Sequence, residues 1–404
     1  MLALALLASL AAAAETPRFS WPQIVWEAHY GGKADGDYAV RAMAVDRRDG
    51  VIVAGHTSQE VGYGVRAVPL VVKYNSEGRL VWTRTALGRF RSPRGEAQFV
   101  AAHESGEISV LGFVGESETD PLMFRVLTRF DTKGKLLWTR TLTLPGTYHF
   151  RPAAIAAASG GDVVVAGETT RLDPPEGTDW CVLRLGPKAV IRWVRVRDSQ
   201  QTGSTAAEAI VADAAGNAVA IGRGRIGFGP ERWLAEGYGP DGGKGLYVWP
   251  DPDPACTRQI AHRIAVCGRG FLVAGEQVCT LKEAAGSAVF LKKLDRAGGV
   301  VWTVNLPTDG KVTAVAALQS GGAVVAGEER AIEDETGAVW PVAMRFNAAG
   351  DLLMACRGLM KDESSARYAA AAVDSEGFLV VAGESTGSAK GGPPRRIFVR
   401  KMKF

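Results

Sequence analysis

The chain has 404 residues, 47% hydrophobic and 22% charged, an ordinary balance for a globular protein with room for a large core. Its formal net charge of +4 is spread along the sequence without a Lys/Arg block, so the pattern gives no support to a nucleic-acid partner. The five cysteines form no CxxC pair, which leaves out the common zinc and thioredoxin-like motifs, and no apolar run is long enough for a transmembrane helix.

Taken in chain order, the first segment is Met1 to Ala14, an apolar run ending in small residues. It reads as the hydrophobic region and cleavage site of a secretory signal, although the positive charges that usually precede such a region are missing. Residues 15–22 then read as a linker and 23–404 as one repeat domain. The mature protein is expected in the periplasm or outside the cell, as a monomer.

From there one phrase recurs. A strand and a Gly/Asp/Asn turn lead into a second strand ending in a small residue and Gly. A loop, a third strand, a turn and a fourth strand carrying Trp follow. The second-strand phrases are Val51-Ile-Val-Ala-Gly55, Ile108-Ser-Val-Leu-Gly112, Val163-Val-Val-Ala-Gly167 and Ala218-Val-Ala-Ile-Gly222. Phe271-Leu-Val-Ala-Gly275, Ala323-Val-Val-Ala-Gly327 and Leu379-Val-Val-Ala-Gly383 complete the series, at glycine spacings of 57, 55, 55, 53, 52 and 56. Fourth-strand phrases keep step: Leu80-Val-Trp82, Leu136-Leu-Trp138, Ile191-Arg-Trp193, Tyr247-Val-Trp249, Val300-Val-Trp302 and Leu352-Leu-Met354. The seventh is missing at the C-terminus and reappears near the start as Ile24-Val-Trp26.

Seven four-stranded repeats of this length predict an all-β, seven-bladed β-propeller, its ring closed by the N-terminal strand pairing into the C-terminal blade. Closure of this kind removes an exposed edge. Blade six departs from the repeat, with Met354 where Trp is expected. Phrases such as Ala371-Ala-Val-Asp-Ser-Glu-Gly-Phe-Leu-Val-Val-Ala-Gly383 resemble the bacterial β-propeller repeats called SBBP. The phrase Asp131-Thr-Lys-Gly-Lys-Leu-Leu-Trp138 is also similar to blades of quinoprotein-like propellers. Both likenesses imply blade architecture and carry no functional residues.

In a propeller the one–two and three–four turns share one face, and here they are short. Loops two–three and four–one share the other face and are long, so that face is expected to bind. The position after the second-strand glycine is Glu168, Glu276, Glu328 and Glu384, but His56, Phe113 and Arg223 in the other blades. A partial carboxylate ring could take a cation or basic ligand; the simpler reading has each Glu accept backbone N–H bonds. His56 and Arg223 break the pattern and join the candidate ligand residues. His29 and His149 are expected towards the same face near its outer rim, as surface histidines with no sign of a shared metal. Trp180, Trp233 and Trp340 either stack on a ligand or lie between blades. The basic residues of strand three (Lys73, Arg129, Arg184, Lys293, Arg345, Lys401) read as snorkelling side chains or inter-blade ion pairs. Extending the hairpin register of blade five places Cys279 opposite residues 258–260, with Cys256 in a loop within reach. A Cys256–Cys279 disulfide is therefore expected, with Cys181, Cys267 and Cys356 as buried thiols.

No nucleophile elbow, P-loop, HExxH or EF-hand motif occurs, and no cofactor is indicated. The preferred expectation is a non-catalytic exported binder or scaffold that engages a protein, peptide or glycan through its long-loop face. The competing class is a propeller enzyme, a quinoprotein-like oxidoreductase or a hydrolase/lyase, working at the channel mouth.

Overall fold

The structure is a computed structural model. It describes residues 18–19, 22–31, 37–61, 64–88, 94–115, 123–144, 148–171, 177–197, 204–225, 231–248, 256–281, 284–306, 310–330, 339–357, 363–387 and 395–403. The predicted signal at 1–14 and Trp249 lie outside these residues.

The expected seven blades are present, each built on four antiparallel strands, in sequence order in blades one to six. Blade one runs Tyr38–Val45, Val51–Val61, Gly64–Tyr74 and Leu80–Arg84. Blade seven is assembled from both ends of the sequence. Glu363–Val373, Leu379–Gly387 and Arg396–Lys403 are followed in the sheet by Gln23–Tyr30. Glu27 stands opposite Arg400 in that closing ladder, at 3.1 Å from Nε to Oε2. Within the stretch read as a linker, Arg18–Phe19 pairs in parallel with Met354 and Ala355 on the outer edge of blade six.

Alternation along the second strands explains the assembly. Successive side chains point to opposite faces of a strand, and both faces of a blade are covered by neighbours. Val51 and Val53 therefore pack with Val380 and Val399 of blade seven. Ile52 and Ala54 pack with Val110 and Val126 of blade two. A run such as Val163-Val-Val-Ala is apolar throughout because it has no solvent side. Trp180 and Trp233 are wholly buried, which makes them core. Full burial of side chains this size contributes roughly 1.5–3 kcal/mol or more each.

Two polar devices repeat at the blade boundaries. The indole Nε1 of Trp26, Trp82, Trp138, Trp193 and Trp302 donates to a carbonyl in the next blade's three–four turn: Ser76, Thr132, Pro187, Pro240 and Ala348 respectively. Each distance is between 2.8 and 3.2 Å. The turn also seats the ring. Gly134 lies at φ 75° directly against Trp82, where a Cβ would come within 2.7 Å of the indole. In blades one to three the Trp is followed at the second position by Arg84, Arg140 or Arg195. Their guanidiniums donate to the carbonyls of Gly134, Ala189 and Gly242 in the same turns.

The second device holds the turns and the third-strand bases. Asp46, Asn75, Asp131 and Asp374 each accept backbone N–H bonds from the residues two and four places on. Lys73 and Lys401 pair with Asp46 and Asp374 of their own blades at 2.7 and 2.6 Å, and Arg184 pairs with Asp162 at 2.7 Å. The expected inter-blade ion pair is therefore intra-blade at these positions. What crosses the boundary is a hydrogen bond to a turn carbonyl, from Arg129 to Gly161, Arg184 to Gly216 and Lys293 to Gly321.

Cys256 is the first residue of its strand rather than part of a loop. It stands directly opposite Cys279, and the two sulfurs are bonded. Cys181, Cys267 and Cys356 are buried thiols.

Candidate functional site

The first strands of successive blades adjoin one another around the central axis. Each carries a β-bulge at an equivalent place, where two residues oppose one on the second strand, and the first strands of blades five and seven carry a second bulge nearer their start. The extra residues at the equivalent place are Arg41, Gln98, Ala153, Glu208, His262, Thr313 and Ala369. Opposite each of these seven bulges lies the second-strand glycine. A Cβ on Gly55 would sit 1.8 Å from the Ala39 carbonyl oxygen, and one on Gly167 would sit 2.2 Å from that of Arg151. The repeated glycine is thus the space into which the bulged strand turns its carbonyl. Bulges re-aim side chains, and here they do so near the long-loop end of the innermost strands.

At this level the residues that break the repeat come together in two clusters. In the first, between blades one and two, Glu96 is buried. It accepts from His56 Nδ1 at 2.7 Å and from Arg41 Nε. Burial pushes the Glu96 carboxyl up, but bonds from His56 and Arg41 outweigh it and hold the pKa below the ordinary value. In the second, between blades four and five, Glu208 accepts from His262 Nδ1 at 2.6 Å and forms an ion pair with Arg223, whose Nε lies 3.2 Å away. Glu231 bridges Arg223 and Arg258. Burial lowers the His262 pKa, but Glu208 and Glu276 more than offset this and raise it, which favours the imidazolium. His262 also lowers the pKa of Glu276, whose carboxylate lies 3.7 Å away.

The remaining ring glutamates each stand opposite a basic residue. Across the first ladder Arg151 faces Glu168, Lys311 faces Glu328 and Arg367 faces Glu384. Arg151 donates to Glu168 at 2.9 Å. Glu384 is buried and accepts from Arg367 Nη2 at 3.1 Å and Arg395 Nη1 at 3.4 Å. It also accepts the Val40 backbone N–H of blade one at 2.7 Å, a bond from blade to blade rather than within its own loop. Phe113, the apolar ring member, lies under the Arg125 guanidinium at 5.2 Å.

Of the sequence candidates, His56 enters the first cluster and Arg223 with Glu276 the second. Glu168, Glu328 and Glu384 lie in separate cross-strand pairs. Sequence reading missed Arg41, Glu208 and His262, because a bulge has no residue signature, and Glu96, which lies on a first strand away from the ring position. The position of the bulge was nevertheless legible: Arg41 precedes Gly55, and Ala153 precedes Gly167, by the same fourteen places. His29 lies on an outermost strand, paired with Glu27 at 2.6 Å. His149 lies on an innermost strand instead of the rim, because it belongs to Tyr148–Ala157, a first strand. No group of three His, Cys, Asp or Glu suited to a metal occurs among the described residues. Trp340 is covered by the Arg357 guanidinium at 4.5 Å.

No protein-family model matches the chain, and no curated protein matches its sequence. Solved structures match its shape. The β-propeller domain of the Trilobed protease from Pyrococcus furiosus is 9% identical, with a TM-score of 0.52 over 90% of this chain and 93% of that one. Acylaminoacyl peptidase from Pyrococcus horikoshii is 10% identical, with a TM-score of 0.53 over 91% of this chain; the match spans 52% of the peptidase. At these identities the likeness is one of fold.

Proposed function

We propose that this chain is an exported, non-catalytic binding propeller that engages a protein, peptide or glycan partner across its long-loop face. The observation that carries the reading is the convergence of the repeat-breaking side chains. His56 with Arg41 and Glu96, and Arg223 with Glu208 and His262, gather at one end of the innermost strands. The opposite face is occupied by the repeated Asp/Asn–Gly turns that hold the blades together. Side chains that depart from the symmetry of the scaffold and gather in one place are what a specific binder requires.

In this reading residues 1–14 are the export signal, 15–22 lead into the ring, and the domain from 23 to 404 is of the SBBP-like repeat kind, acting as a monomer. Export to an oxidising compartment accords with the Cys256–Cys279 bond. His56, Arg223 and Glu276 serve as ligand contacts, with Glu168, Glu328 and Glu384 in supporting pairs.

The test is site-specific photocrosslinking in the native envelope. Crosslinkers at exposed Thr143 and Thr257, near the long loops, are expected to trap one discrete partner. Crosslinkers at Thr132 and Glu104, on the short turns, are expected to trap none. Adducts from the short-turn positions alone would overturn the assignment of the face.

A further inference from the structure

The ion pairs around the channel mouth share an asymmetry that charge counting hides. In each, the carboxylate is the inner member and the guanidinium the outer. The side chains of Arg41, Arg151, Arg223, Arg258, Arg367 and Arg395 are between 40% and 69% exposed. Those of Glu96, Glu168, Glu208, Glu231 and Glu384 are between 2% and 23% exposed. Glu276, at 40%, is an exception. A guanidinium carries five N–H donors in a planar fork, and a buried carboxylate that takes one or two of them fixes the fork without covering it. The mouth therefore presents positive, oriented donors to solvent although its net charge is small.

We infer that these carboxylate-anchored arginines form a binding surface for a polyanion, and that the partner is an acidic, extended protein segment. The inference rests on the long-loop face being the binding face and specifies the chemistry it recognises. Forked donors match carboxylates in pairs. The arginines are distributed over blades one, three, four, five and seven, which suits repeated charges along a chain better than one compact anion. A glycan would need flat apolar platforms. Trp180 and Trp233 are wholly buried, and Trp340 is covered by Arg357.

Fluorescence anisotropy with a labelled ten-residue glutamate peptide tests this, using the full propeller at low and physiological salt. The expected result is saturable binding, weakened by salt, with no binding of a ten-residue lysine peptide. The decisive variant is Glu168→Gln. It makes the protein more positive, so unspecific attraction predicts tighter binding. Loss of the anchor for Arg151 predicts binding at least about threefold weaker. Glu384→Gln is the parallel variant for Arg367 and Arg395; because it also weakens the Val40 bond, whose acceptor loses its charge, Glu168→Gln carries the conclusion if the former fails to fold. Tighter binding by folded Glu168→Gln overturns the anchored-arginine surface. Stronger binding of a sulfated glycan than of the glutamate peptide, or saturation by inorganic phosphate alone, overturns the peptide assignment. Crosslinks at Thr143 and Thr257 without glutamate-peptide binding would leave the face correct and its anionic partner wrong.

Discussion

Single atoms set the limits of this fold. The second-strand glycines admit a neighbouring carbonyl that no other residue could accommodate, so Gly167→Ala is expected to cost about 2–3 kcal/mol in urea unfolding. An unchanged midpoint would mean the bulge can relax. His103 offers the opposite case. It occupies the turn position held by Asp46 and Asp374 in blades one and seven. Its Nε2 accepts from Arg129 and Ser109, while Nδ1 is buried without a partner. Burial, and then the Arg129 charge, push its pKa down to about 3, so it is neutral at pH 7. His103→Asp would give buried Arg129 a second counter-charge beside Glu107 and remove the orphaned donor. It should stabilise the protein by about 1 kcal/mol in the same assay, and a loss of stability would contradict the role given to that position.

At the scale of strands, indole bonds join neighbouring blades at five boundaries, and Trp302→Phe should remove about 1 kcal/mol by deleting the indole's bond to the Ala348 carbonyl. Blade six carries Met354 for a physical reason. The third and fourth strands of its neighbour come from opposite ends of the sequence, so no hairpin turn waits to receive an indole. Met354→Trp is accordingly expected to leave the melting temperature unchanged or lower; a clear rise would show that some other acceptor is present. The closing ladder has its own signature. Burial raises the Glu27 pKa, but bonds from His29 and Arg400 outweigh it and bring it down to about 2, against 4.5 for the ordinary carboxyl. A depressed carboxyl contributes stability that is complete above about pH 4.5 and is lost as pH falls towards 2. Glu27→Gln should therefore lower the melting temperature at pH 6 and flatten its decline between pH 4.5 and 2. Parallel curves for the two proteins would exclude Glu27 from that decline. Strand order and closure were readable from the sequence because every Trp phrase and glycine marks a fixed place in a blade. The Trp-to-turn bonds and the strand formed by Arg18–Phe19 were not, since their acceptors lie in the neighbouring blade or on a distant edge.

For the whole molecule, seven similar sheets build a rigid ring, and function depends on where the copies differ. His56 and Arg223 stood out in the sequence as departures from a repeated Glu. Their partners Glu96, Glu208 and His262 did not, because cross-blade contacts at a bulge depend on backbone geometry that one sequence does not spell out. Of the partial carboxylate ring expected from Glu168, Glu276, Glu328 and Glu384, three members are paired with basic groups, Glu168 with Arg151, Glu276 with His262 and Glu384 with Arg367 and Arg395, while Glu328 stands opposite Lys311 in the ladder. The most direct test of this account compares two triple variants with the same loss of charge. Arg151→Gln/Arg258→Gln/Arg395→Gln removes three guanidiniums from the long-loop face. Lys133→Gln/Lys188→Gln/Arg269→Gln removes three positive charges from exposed short turns. Affinity for the ten-residue glutamate peptide is expected to fall by about tenfold or more in the first and to stay within about twofold of the parent in the second. Equal losses in both would show that the attraction belongs to net charge rather than to the long-loop face, and would contradict the account.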